Sequence, residues 1–162
     1  MAGGSAREPL RLDPADSITL GYGTDFHVLL RAIGEAMPED AVLCLEGTDI
    51  GPVVTRFVEV RQPAEVPETE PNTIWPKPRF LHLPIAGTNL PELLAVSEGG
   101  EEYEVADHFV VYRGDQVLLW AHDAGDGYVR VWKSLDAATV ERLRSALGDS
   151  LRPEGPTVSA GP

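Results

Sequence analysis

The first regular signal along the chain is an apolar stripe: Phe26, Leu29, Leu30, Ile33 and Met37 recur at intervals of three and four. That period puts all five on one face of a helix. Thr24 or Asp25 suits its N-cap, and Pro38 cannot continue it. Upstream, residues 17–20 read as a short strand, with Tyr22-Gly23-Thr24 turning the chain behind them. Residues 41–45 are a short apolar run of the kind that forms a buried strand.

Val53, Val54, Phe57, Val58 and Arg61 follow at helical spacing, with Pro52 tolerated in a first turn behind Thr48 or Asp49. Their β-branched content pulls toward strand, and helix is the favoured assignment. Pro63, Pro67, Pro71, Pro76 and Pro78 then make residues 62–79 a crossing that suits neither a helix nor a central strand. A loop this long is commonly functional or disordered. It carries Trp75, which is expected to tuck back and pin the loop to the domain.

Residues 80–83 predict a strand stopped by Pro84. Thr88 or Asn89 caps a short helix with Leu93, Leu94 and Val96 inward, and Gly99-Gly100 ends it. Three strands follow, over residues 105–112, 116–121 and 128–132. Gly114-Asp115 suits a tight hairpin between the first two. In the last, Tyr128, Arg130 and Trp132 share one face and Val129 and Val131 the other. A final helix over residues 135–147 has Ser134 as its cap, Leu135, Val140, Leu143 and Leu147 inward, and Gly148 as its stop.

These elements predict an α+β fold. Its antiparallel sheet holds a C-terminal three-stranded meander plus one or two further strands, with about four helices packed on it. One domain spans residues 17–148, and residues 1–16 and 149–162 read as disordered tails.

Charge narrows the function. Acidic residues outnumber basic ones 26 to 13, a formal charge of −13. That field repels nucleic acid and anionic lipid and attracts a basic protein partner. Glu98, Glu101, Glu102, Glu104 and Asp107 fall close together with no basic residue among them, and Glu65, Glu68 and Glu70 form a second group. An exposed Trp75 beside such a face would be a binding hot spot. No signal peptide or transmembrane run is visible. The one cysteine, Cys44, excludes an intrachain disulfide and fits a reducing, cytoplasmic setting. It lies in an apolar run with no adjacent basic residue, so it reads as a buried hydrophobe. Scarce lysine beside abundant arginine, alanine, glycine and proline resembles GC-rich bacterial coding.

Candidate chemistry is sparse. His82, His108 and His122 are expected on strands, with Asp107 and Asp123 beside the last two. Converging imidazoles and a carboxylate could hold a metal or act as acid and base, although the spacing matches no metal motif. The loop of residues 123–127 lacks the ligand spacing of an EF-hand. Arg113-Gly114-Asp115 spells an adhesion tripeptide but suits a turn better. Neither a nucleophile elbow nor a phosphate-binding glycine loop occurs, and no motif calls for a cofactor.

Three readings follow. The first is a non-enzymatic, acidic protein-binding module, in its sharpest form an immunity-type or regulatory protein that occludes a basic effector. Its contacts would be Glu98, Glu101, Glu102, Glu104, Asp107 and Trp75. The second is a small metal-dependent or acid–base enzyme using His82, His108, His122 and Asp123. The third is a structural subunit of a larger bacterial assembly.

Overall fold

Strand alternation sorts the apolar residues onto two unlike faces of one sheet. The computed structural model describes residues 9–21, 23, 25–62, 70–124 and 127–148. Its strands are β1 (Ser17–Gly21), β2 (Val42–Gly47), β3 (Arg79–Pro84), β4 (His108–Arg113), β5 (Gln116–Ala121) and β6 (Tyr128–Trp132). They pair antiparallel in the order β1-β6-β5-β4-β2-β3, which confirms the α+β class. Three strands rather than one or two join the last three of the chain, because residues 17–21 and both apolar runs of the first half enter the sheet.

On the first face, Leu43, Leu45, Leu81, Leu83, Phe109, Val111, Leu119, Val129 and Val131 build a single core. Helices α1 (Phe26–Ala36), α2 (Pro52–Glu59), α3 (Asn89–Val96) and α5 (Ala137–Leu147) all pack into it. The stripe read from the sequence does this in α1, with Asp25 as the observed N-cap bonding the His27 N–H. Residues 52–59 are helical: Val54, Phe57 and Val58 reach the core, and helical spacing prevails over β-branched content.

Several expectations are corrected. Val96 points outward at 37% exposure, and Leu90 with Leu93 makes the buried side of α3. Val105, expected to open a strand, instead ends a single helical turn, α4 (Glu102–Val105), and the strand begins at His108. The Glu104 carboxylate accepts the Glu101 N–H there and closes the turn. The last helix begins at Ala137, because Asp136 rather than Ser134 accepts the Thr139 N–H and hydroxyl. Hydrogen bonding by Thr139 correspondingly holds the Asp136 carboxyl below its ordinary pKa. Leu135 lies just before this cap, buried in the same core as the half-buried Val140, the positions of a hydrophobic staple.

The second face has its own small cluster, Leu10, Cys44, Val110, Tyr112 and Val117, to which no helix among the described residues contributes. An extra residue in β5 helps to build it. Val111 pairs with Leu119 but Tyr112 with Val117, so Leu118 is unmatched. The bulge leaves Val117 on the second face while Leu118 and Leu119 join the first. Leu10 comes from the segment assigned on sequence to a tail. Its burial on this face, and the Glu70 N–H bonded to its carbonyl, tie residues 9–16 to the sheet. Residues 1–8 and 149–162 lie outside the described residues. The β4–β5 connection is the expected two-residue hairpin. Gly114 takes φ 57° at its first central position, as a type II′ turn requires. No helix among the described residues is long and apolar enough to cross a membrane.

Candidate functional site

The polar residues of the second face gather at one end of β2 and β4. Glu46 continues the alternation of Val42 and Cys44, so its side chain enters this face and is fully buried. Its cross-strand neighbours are Phe80 on β3 and His108 on β4. A carboxylate taken out of water must be hydrogen-bonded. Here one oxygen accepts the backbone N–H groups of Asn72 and Thr73 at 2.7 and 3.2 Å, and the other accepts the Asn72 amide.

His108 completes the arrangement. The Asp123 N–H donates to its Nδ1 at 2.8 Å, and its Nε2 lies 3.3 Å from the Thr73 hydroxyl. An Nδ1 that accepts places the ring proton on Nε2, so the imidazole is neutral and donates to Thr73. Burial pushes its pKa below the ordinary histidine value. The Glu46 charge opposes that shift, His122 adds to it, and Asp107 and Asp123 oppose it. Asp123 has φ 62°, in the left-handed region, where the chain leaves β5.

These bonds fix the middle of the proline-rich crossing. Asn72 and Thr73 are clamped to Glu46 and His108, and the next two residues stand in solvent: Ile74 is 93% and Trp75 86% exposed. Trp75 therefore does not tuck back. Polar bonds two and three residues earlier secure the loop instead. A cis peptide joins Trp75 to Pro76.

The acidic residues lie on the segment leading into β4, at the end of the sheet where Glu46 sits. Glu98, Glu101 and Glu104 are exposed and Glu102 is half-buried. Asp107 is a tie within the fold, since its carboxylate accepts the Thr48 N–H at 3.1 Å. Its own N–H bonds the Glu46 carbonyl. Glu65 and Glu68 lie outside the described residues, and Glu70 is exposed.

The histidines are only partly brought together. The rings of His108 and His122 are 4.9 Å apart, but His122 lies just past β5 and not on it. His82 is deep in the second-face cluster, with its Nδ1 2.9 Å from the Tyr112 hydroxyl. Burial drives its pKa down to about 4 and raises that of Tyr112. Among the described residues no three His, Cys, Asp or Glu side chains are placed to hold a metal ion. Both nitrogens of His108 are already bonded. Comparison of the chain with protein-family models, with curated proteins and with solved structures finds no match to any of them.

Glu46 and Asn72 escaped the sequence reading. The apolar run ends at Leu45, and one further step of its alternation puts Glu46 on the inward face of Cys44.

Proposed function

We propose that this chain is a protein-binding module that meets a basic partner through Ile74 and Trp75, with the acidic segment of Glu98, Glu101, Glu102, Glu104 and Asp107 alongside. The observation that carries this reading is the pairing of an exposed Ile74-Trp75 with a loop bonded to a buried carboxylate. A large apolar side chain left in water costs free energy that a partner can recover. A loop held before binding loses less entropy when it docks. Tryptophan is the residue most enriched at binding hot spots, and the acidic flank would steer a basic partner and set its salt dependence. An immunity-type or regulatory protein that occludes a basic effector is the sharpest form of this reading.

The test is affinity capture from a lysate of the source organism, run in parallel with the wild type, Trp75→Ala and the triple variant Glu101→Lys, Glu102→Lys, Glu104→Lys. Trp75 is exposed, so its truncation should change stability by less than about 0.5 kcal/mol. Support would be a partner retained by the wild type at low salt, released by high salt and lost from both variants. A partner held equally by all three proteins would overturn the assignment of this surface.

A further inference from the structure

No helix among the described residues covers the second face, and its β5–β6 half carries a strip of aromatic residues around one cation. Tyr128, Arg130 and Trp132 project there from β6, opposite Val129 and Val131, which enter the helical core. Trp120 is the direct cross-strand partner of Arg130, and its ring centre lies 6.5 Å from that of Trp132. On the other side Arg130 pairs with Thr19 of the edge strand β1. All four strip residues are half-buried.

Two donors in this strip have no acceptor among the described residues. The Arg130 guanidinium forms no ion pair or hydrogen bond there, although the chain has twice as many acidic as basic residues. The indole Nε1 of Trp120, closed off from solvent, is likewise unpaired. Arg130 is only half-buried, so its guanidinium remains open to solvent and to an anion, whereas the Trp120 N–H is the buried exception.

We propose that Tyr128, Arg130, Trp132 and Trp120 form a binding site for a small molecule that joins one carboxylate or phosphate group to a flat ring. The anion would sit on the planar fork of Arg130, which matches carboxylate and phosphate in two parallel bonds. Alternate side chains on a strand are about 7 Å apart. That is the reach from such an anion to a ring resting on Trp132 or Tyr128. Partial burial strengthens the charge interaction relative to open water. The net charge of −13 selects the size of the ligand: a nucleic acid or a polyacidic peptide would be repelled along its length, while a single anion meets only the local cation.

The chain has three tryptophans, so each indole N–H gives its own proton–nitrogen correlation in an NMR titration. The probes are phenyl phosphate and adenosine 5′-monophosphate, with inorganic phosphate, adenosine and poly-glutamate as comparisons. The two ring-bearing anions should shift the Trp120 and Trp132 signals and leave Trp75 in place. Arg130→Gln should weaken this binding at least about tenfold, and Arg130→Lys should restore part of it. Dispersed indole signals in both variants would confirm that they fold. No shift at millimolar probe, or an equal shift in Arg130→Gln, would overturn the site. Equal shifts with inorganic phosphate would reduce it to an adventitious anion contact, and preferential binding of poly-glutamate would overturn the small-molecule assignment.

Discussion

Glu46 and Asn72 are 26 residues apart, yet the carboxylate of one accepts both the backbone and the side-chain N–H groups of the other. With the Thr73 N–H as a third donor, every bond at this buried group is one that a carboxylate can accept. Glu46→Gln keeps the shape but supplies only one acceptor oxygen. Its amide could bond the Asn72 side chain only if that amide turned over to present its Oδ1, and the charge-assisted bonds would be lost. The variant should lose about 1–3 kcal/mol of stability. It should also speed hydrogen exchange at the amides of Asn72 and Thr73 more than at those of the β4–β5 pairing. Exchange at Asn72 and Thr73 as slow as in the wild type would show that the carboxylate does not hold the loop.

The two buried histidines make stability depend on acid. His82 has a pKa of about 4 against an ordinary 6.5, so between those values the unfolded chain binds more protons than the native one. Stability should therefore fall as pH drops from 6.5 toward about 4. This group would contribute on the order of 3 kcal/mol to the loss. His108 acts with the same sign: a proton on Nδ1 would displace the Asp123 N–H it accepts. Denaturant melts across this range should show the slope, and His82→Gln, which can still accept from Tyr112, should flatten it. A slope unchanged in that variant would place the acid sensitivity elsewhere.

His82 and Tyr112 also test how polar groups behave inside an apolar cluster. Their 2.9 Å hydrogen bond is closed in among Cys44, Val110 and Leu10. Removing either partner alone leaves the other unsatisfied, a cost of about 1–3 kcal/mol. Tyr112→Phe and His82→Phe should each destabilise, while the double variant should cost less than the two summed. Additive losses in a double-mutant cycle would mean that the bond carries no coupling energy.

The periodic parts of the fold were legible because they answer to a single face. Residues 26–37 show a helical stripe and residues 128–132 strict alternation, and each structure follows its pattern. What stayed hidden depends on distant partners. Leu10 looks like tail until the second face of the sheet exists to receive it. Residues 102–105 form a turn because Glu104 bonds back to Glu101, an option that β-strand propensity at Val105 does not reveal. Glu46 reads as a loop acid, since only the arrival of Asn72 and Thr73 makes its burial affordable. Trp75 stands exposed two residues beyond that anchoring. Candidate histidines could be named from sequence, but their separation could not: His82 and His108 lie on strands flanking β2, each bonded to a different partner.

Gly34 tests the packing of the helical layer. It lies inside α1, where replacing glycine by alanine ordinarily adds up to about 1 kcal/mol through helix propensity. At this position, however, a Cβ would stand 2.9 Å from the Cβ of Leu90 on α3. That atom is next to the backbone of a buried residue and cannot swing aside as a side-chain tip would. Helices α1 and α3 would have to separate, at an overpacking cost of about 1–3 kcal/mol. Gly34→Ala should therefore destabilise despite its better propensity, and Gly34→Ala with Leu90→Ala should not recover the wild-type value, because alanine keeps the clashing Cβ and the truncation also opens a cavity. Thermal or denaturant unfolding decides it: a gain in stability for the single variant would mean that the two helices are not in close contact at Gly34.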